Sequence, residues 1–464
     1  MSTAYLIPER SREQLADHLA AGGGEGRRAA LGAGPAGTRT VVRASGLRGR
    51  DAEALDVGAT WNVVAASAAE AGTRYVVGVG TDSEPGSFVD RALTRLNPYA
   101  VIEGVLIAAI AVDAREAFLV IRRSFDHEYE ILADALAEAE LAGWFENISV
   151  KCVRAPEEYL SGDPRAVLEV IEGRQPIPRR SAPHLDGLFT PEPRDLAPGT
   201  RELFDASNPT LVETFETLAN LGPLLHHGAA WFRSRGTAMS AGHLLITVTG
   251  DVRRHRVAEV EMGRPLVDVL EEVGDGFLPA APAKIVLNGV SSPVLTRNRL
   301  GSPLSWEGLS SAGASLGRAA FQVFGDGVDM VGLAHGVATY LYVESCGWCP
   351  PCKFGGGEVT AHLARLLAGA GRLGDVETVL ARLTTVVDGR RCDLAAQQRD
   401  VVASIIRAFP GDMAAAMQTG YSGTAVPIRG LRDLVSGRAE WDDRQAHKRA
   451  DWVVEDQPVQ LTRW

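Results

Sequence analysis

Apolar residues fall along the chain in short blocks of two periods. Residues 8–22 set Leu15 and Leu19 four apart, the spacing of one helix face. Tyr75-Val76-Val77-Gly78-Val79 and Ala117-Phe118-Leu119-Val120-Ile121 are unbroken apolar runs, as in strands buried on both faces of a parallel sheet. Residues 98–114 and 129–142 carry helical patterns, and Ile148-Ser149-Val150-Lys151 is a third strand-like run. Strand, helix, strand, helix predicts a three-layer α/β domain. From His243 the blocks shorten. Residues 244–252 and 257–260 predict a hairpin, 267–273 a short helix and 284–290 a further strand. Three helices follow at 358–368, 376–387 and 394–409. The first two are amphipathic, with Leu363, Leu366 and Leu367 on one stripe, then Val376, Leu380, Leu383 and Val387. They predict a small helical bundle.

The breaks between blocks are also informative. Gly22-Gly23-Gly24-Glu25-Gly26, with more Ala and Gly up to Gly37, invites a phosphate-loop reading. No strand precedes it and no Gly-x-Gly-x-x-Gly spacing is present, so it reads as a turn or flexible linker. Residues 174–193 are rich in Pro and Arg and read as an extended loop. Beyond Pro410 the tail is charged and dotted with Trp441, Trp452 and Trp464, which predicts an irregular extension packed on a partner. His226-His227, after the apolar run 221–225, reads as solvated or packed histidines.

Composition narrows the class. A chain of 464 residues has room for about three domains. A net charge of −11 with both signs interspersed argues against nucleic acid as a partner. The start, Met1-Ser2-Thr3-Ala4-Tyr5, has neither the charged beginning nor the apolar core of a signal peptide. The apolar run 105–112 is far too short to span a bilayer. The expected setting is a reducing cytoplasm, with any membrane contact made through a partner.

The cysteines carry the chemistry. There are five, and Cys346, Cys349 and Cys352 form a Cys-x-x-Cys-x-x-Cys run, with Cys392 further on. Three close thiolates and one distant one suit a [4Fe–4S] cluster, in which a tight loop holds three corners and a second segment the fourth. Zinc more often takes paired Cys-x-x-Cys knuckles or Cys/His mixtures. The three clustered cysteines are too close in sequence to pair as disulfides in an ordinary fold. Cys152, in the strand-like run, reads as a buried inert thiol.

The stretch Glu344-Ser345-Cys346-Gly347-Trp348-Cys349-Pro350-Pro351-Cys352-Lys353 resembles the cluster loop of the NADH-binding flavoprotein subunit of respiratory complex I. The same module occurs in NAD-linked hydrogenases and formate dehydrogenases. The resemblance runs over roughly residues 15–410. It implies the α/β flavin/NADH-domain fold over 41–238, after an N-terminal helix and Gly-rich linker at 1–40. A ubiquitin-like β-grasp (SLBB-like) unit follows over 239–325, then a helical bundle holding the [4Fe–4S] cluster over 326–412 and a C-terminal extension over 413–464. It also implies Cys346, Cys349, Cys352 and Cys392 as the cluster ligands.

The resemblance breaks where the family would touch FMN and NADH. The flavin-loop glycines are replaced by Asp51, Ala52 and Ala54, and the Lys position by Thr60, while Gly58 and Trp61 keep the frame. The Asn position before Pro85-Gly86 is Val79, the next acidic position is Thr81, and Asp82 is a shortened remnant of a Glu. Asp163 and Pro164 replace a Glu pair, and Glu213 and Thr214 replace the paired Asn that hydrogen-bond the flavin. Altered positions in four segments at one inferred site imply a chain that binds neither FMN nor NAD and has no catalytic residues of its own. Without flavin a cluster cannot accept hydride, so the expected role is one-electron transfer within a multi-subunit oxidoreductase. A small [2Fe–2S] protein or ferredoxin is the partner that the resemblance suggests. Two alternatives stand beside this: an active FMN-dependent NADH oxidoreductase subunit with different flavin contacts, and a structural subunit whose cluster only pins the bundle.

Overall fold

A computed structural model describes residues 4–67, 73–190, 208–279, 281–389, 391–418 and 420–450, with the backbone of 461–462. Trp452 and Trp464 of the tail and the end of the 174–193 loop lie outside the described residues.

The first sheet contains β1 (Tyr75–Gly80), β2 (Glu116–Arg122), β3 (Ser149–Ala155) and β4 (Thr210–Thr214). They run parallel in the order β3-β2-β1-β4, and Leu461–Thr462 pairs antiparallel with the free edge of β3. Both faces are covered, which is why the strands read as apolar runs. Val76, Ala117, Leu119 and Ile121 enter the larger core, on the side of the helix Pro98–Val112. Tyr75, Val77, Val79, Phe118 and Val120 enter a second core with the helix Ala166–Ile171. Pro98 starts the first of these helices where no N–H is required, and every residue of it except Ile110 is buried. A helix apolar on all sides belongs inside a core. Among the described residues no single helix is long and apolar enough to cross a membrane.

The glycine-rich segment is not a linker. It forms a helix, Glu25–Ser45, broken at Gly34 (φ +67) with Pro35 starting the second half, so the boundary expected at residue 40 falls inside it. Two packing features make it helical. Buried Glu103 accepts from Gly24 N (3.0 Å) and Arg27 N (2.9 Å) at the helix start, where unpaired donors point outward. Gly26 lies against Gly222, where a Cβ would stand 2.2 Å from the carbonyl oxygen. The glycine serves a close helix contact rather than a bend.

A second sheet is built from β5 (His243–Gly250), β6 (Arg256–Glu261), β7 (Ala283–Asn288), β8 (Leu295–Thr296) and β9 (Ala320–Gly325). Its order is β6-β5-β9-β7-β8, with β5 and β9 parallel and the other pairs antiparallel. The helix Leu266–Gly274 shares its core through Leu266, Val269, Leu270 and Val273. The hydrophobic pattern predicts the hairpin, the helix and β7 but not β9, the strand that joins the two halves.

Among the described residues five helices follow up to residue 415: Met330–Glu344, Pro350–Leu367, Asp375–Leu383, Leu394–Ala408 and Pro410–Ala415. The second begins at Pro350, well before the expected start at 358, because Pro350-Pro351 occupy its first turn. Among the described residues the tail is not irregular. β10 (Leu431–Val435) and β11 (Arg438–Trp441) form a hairpin on the chain's own surface. Arg91 donates to Leu431 O (3.0 Å) and Arg432 O (2.9 Å), Ala439 N donates to His255 Nδ1 (2.9 Å), and Lys448 Nζ meets both oxygens of buried Glu344 at 2.8 Å. This one segment fastens all three parts of the molecule.

Candidate cofactor cavity and cysteine loop

A cavity of about 410 Å³ opens where the first sheet meets the loop 49–57, the turn 159–165 and the Cys392 segment. It is reached from the C-terminal end of β1, through Val79 and Thr81, and from the length of β4. A crevice at the carboxyl ends of parallel strands is where open α/β sheets place ligands. Of the eleven replaced positions named from the sequence, Asp51, Ala52, Thr60, Val79, Thr81, Asp163, Pro164, Glu213 and Thr214 line it.

Two do not. Ala54 takes a left-handed backbone conformation (φ +50), and its side chain sits in the core of the second sheet with Leu244 and Ile246. Asp82 (φ +40) turns to the start of the helix Val89–Leu96, where it accepts from Ser87 Oγ (2.8 Å), Asp90 N (3.1 Å) and Arg91 Nε (3.0 Å). Burial pushes the Asp82 carboxyl upward, but Arg91 and Arg318 outweigh it and hold it below its ordinary range. Both positions serve the fold.

The cavity wall is acidic. Asp51, Glu53, Glu84, Asp90, Asp163, Glu213 and Asp393 face it, against the guanidinium groups of Arg165 and Arg318. Arg318 is committed: it donates to Asp90 Oδ2 and to Arg50 O, both at 2.7 Å. Glu213 accepts from Trp61 Nε1 at 2.9 Å, and burial, with Asp51 nearby, pushes its carboxyl up to about 8. Burial likewise pushes Asp163 up to about 6. Glu84, raised by burial, accepts from Val290 N, Ser291 N and Tyr159 Oη, tying the cavity to the second sheet. Tyr159, Arg165, Arg318 and Gln397 also line the cavity. None was singled out from the sequence, because only the fold brings 318 and 397 beside β1 and β4.

Two backbone N–H groups in the segment 51–60 are already taken by carboxylates. Asp56 caps the helix Val57–Ala66, accepting from Ala59 N at 2.7 Å, and Asp51 accepts from Ala54 N at 2.7 Å.

The four cysteines come together at two helix starts. Cys346 follows Ser345, the cap of Met330–Glu344, and Gly347 turns the chain with φ +83. Cys349 is the N-cap of Pro350–Leu367 and Cys352 lies in its first turn. Cys392 stands just before Leu394–Ala408 and faces the cavity. All four are partly buried. Burial, with Cys346 and Cys349 nearby, pushes Cys352 up to about 12, and Cys392 is raised by burial, Asp163 and the neighbouring thiols. Lys353 Nζ donates to Ser345 O (2.9 Å) and Ser345 Oγ (3.0 Å), and Arg391 lies over the Trp348 ring at 4.8 Å. Among the described residues no three His, Cys, Asp or Glu side chains close tightly enough on one point to hold a single metal ion. Cys152 is fully buried in β3, its thiol pushed up to about 12 by burial.

These features coincide with two family models. Residues 42–220 match one described as the Nuo51 FMN-binding domain. Residues 332–416 match one described as the NADH-ubiquinone oxidoreductase-F iron-sulfur binding region. An F subunit of NADH-quinone oxidoreductase from Rhizobium meliloti is 32% identical over 373 residues, covering 78% of this chain and 85% of that protein. The NADH-quinone oxidoreductase F subunit of Escherichia coli is 27% identical over 441 residues, covering 93% and 95%. A chain of an NAD+-reducing [NiFe]-hydrogenase in the H2-reduced state has the same fold, with a TM-score of 0.72 at 24% identity. That match covers 83% of this chain and 63% of the hydrogenase chain. A mixed α/β fold on a parallel sheet, an FMN-binding-type domain, an iron–sulfur binding region and relatives of this coverage place the chain in the family of NADH-quinone oxidoreductase F subunits.

Proposed function

We propose that this chain is a [4Fe–4S] electron-transfer subunit of a cytoplasmic multi-subunit oxidoreductase that does not use FMN or NAD itself. In this reading Cys346, Cys349, Cys352 and Cys392 hold the cluster. Two segments supply thiols that feel one another, Lys353 and Arg391 offset the negative charge, and the dipoles of two helix N-termini point the same way. A Cys-x-x-Cys-x-x-Cys run with a distant fourth cysteine suits a cluster better than zinc. The second sheet with its single helix is read as a β-grasp unit, and the helices from Met330 onward as the bundle that clamps the cluster.

The observation that carries the flavin-less reading is the charge of the cavity. FMN brings a phosphate, which needs free N–H donors or cations. Here Asp51 and Asp56 already accept from those donors, and Arg318, a cation on the wall, is held by Asp90 and by Arg50 O. A phosphate there meets like charge. The residues present therefore do not fit the group. What the chain's residues do is hold a one-electron centre beside a partly apolar cavity and pass single electrons between partner subunits.

The second reading, FMN held through altered contacts, rests on the match of residues 42–220 to an FMN-binding domain and on the persistence of the cavity. Two reductants separate the readings. In anaerobic protein, dithionite is expected to give the paramagnetic signal of a reduced cluster while NADH gives none and supports no reduction of ferricyanide. NADH-dependent reduction of either would establish the FMN reading.

A further inference from the structure

The cysteine loop begins at a charge that the tail neutralises. Glu344 is the last residue of the helix Met330–Glu344, two residues before Cys346, and it is 1% exposed. A helix C-terminus is the negative end of the dipole, so a buried carboxylate there is unfavourable without a cationic partner. Lys448 is that partner, its Nζ donating to Oε1 and Oε2, both at 2.8 Å. Tyr159 N donates to Oε2 at 2.8 Å, and Tyr159 Oη lies 3.3 Å from Glu84 and 3.1 Å from Gln397 on the cavity wall. Glu344 therefore joins the cysteine loop, the cavity wall and the tail.

The tail is fastened beside this pair. Arg444 Nη2 lies 3.3 Å from Glu157, and the next residue, Glu158, has its carboxylate 4.0 Å from Lys448 Nζ. Lys448 thus stands between two carboxylates, Glu158 and Glu344. It lies beyond residue 416, where the match to the iron–sulfur binding region ends. Lys353, inside that region, donates to the neutral groups Tyr342 O (3.2 Å) and Ser345 O (2.9 Å) of the same turn.

We propose that Lys448 is a positioning residue for the cluster: by neutralising Glu344 it raises the reduction potential, so the tail sets how readily the centre takes an electron. This rests on the reading that Cys346, Cys349, Cys352 and Cys392 hold a [4Fe–4S] cluster. Reduction adds one electron, and so one negative charge, to a group that already carries four thiolates, and the potential of such a group follows the charge around it. An unpaired carboxylate two residues from a ligand opposes the added charge. An ammonium on that carboxylate removes the opposition.

The test is a dithionite redox titration of the full, anaerobically purified chain, followed by the paramagnetic signal of the reduced cluster, with iron counted in each variant. Lys448→Met is expected to move the midpoint to more negative potential, lowering the equilibrium constant for reduction about tenfold, ~59 mV for one electron. Lys448→Arg keeps the charge and should keep the wild-type potential. Glu344→Gln leaves the Lys448 charge uncompensated and should move the midpoint upward, so it decides the matter if Lys448→Met loses its cluster. Arg432→Met, at an exposed cation of the same tail, should change nothing. A role in folding alone would lower the iron content and leave the potential of the remaining clusters where it was. An unmoved potential in Lys448→Met, or in Glu344→Gln where the first variant holds no cluster, would overturn the proposal and leave the cluster reading intact. A wild-type chain with zinc and no reducible cluster would overturn both.

Discussion

The indole of Trp61 donates to Glu213 at 2.9 Å, from the helix Val57–Ala66 to the strand β4. In the resemblance read from the sequence, Trp61 would keep the frame of the family's flavin loop and Glu213 would replace a flavin-binding Asn. The hydrogen bond joins what was kept to what was changed. It leaves a carboxyl group in the cavity wall, under burial that favours its neutral form.

That carboxyl sets a pH dependence. Glu213 ionises near 8 in the folded chain and near its ordinary value in the unfolded one. Between those values the folded state holds a proton that the unfolded state has lost, so stability falls as pH rises through this window. Below the ordinary value both states are protonated and the effect vanishes. Glu213→Gln should flatten the dependence and raise stability at pH 9 by about 1–4 kcal/mol, relative to wild type, while changing little at pH 5. Urea unfolding at the two pH values measures it.

Ala54 carries a Cβ in a left-handed conformation. Such a residue costs about 1 kcal/mol that glycine avoids, less the extra freedom glycine gains in the unfolded chain. Ala54→Gly relieves that conformation but removes a methyl group buried with Leu244 and Ile246, so the net change is expected to stay within about 1 kcal/mol of zero. A clear loss in thermal unfolding would contradict the conformation.

Asp82 and Arg91 are both buried, 3.0 Å apart. Asp82→Ala strands a guanidinium and three further donors, and should cost about 3–5 kcal/mol. The pair's contribution is lost in acid, because Asp82 is held below its ordinary range. Its stabilisation is present above that range and disappears as pH falls through the folded value. The difference between wild type and Asp82→Ala should therefore narrow only in acid below the ordinary carboxylate range.

The cysteines divide cleanly. Cys392→Ser should lower the iron and acid-labile sulfide recovered per chain, as should a serine at any of the other three positions. Cys152→Ser should leave both unchanged, because its thiol is sealed in β3. Iron analysis of the purified variants decides it.

Much of this was legible in the sequence, for physical reasons. β1 and β2 are covered on both faces, so they appear as apolar runs, and the cysteine loop announces itself because few other arrangements want that spacing. The glycine-rich helix was misread because glycine usually signals flexibility. Here its meaning depends on Gly222 and Glu103, far away in the chain. β9 and the tail hairpin were missed because their neighbours, β5 and the Arg91 helix, come from remote segments. At the cavity, nine of the eleven positions named from the sequence line the wall. Sequence reasoning misplaced Ala54 and Asp82 because a left-handed residue sends its side chain where strand or loop spacing does not predict.

The most direct test of the flavin-less cluster reading is the cofactor content of protein purified without oxygen and then incubated with excess FMN. About four irons and four sulfides per chain, with neither zinc nor retained flavin, is the predicted result. One FMN per chain would contradict the acidic-cavity argument, and zinc without sulfide would contradict the cluster.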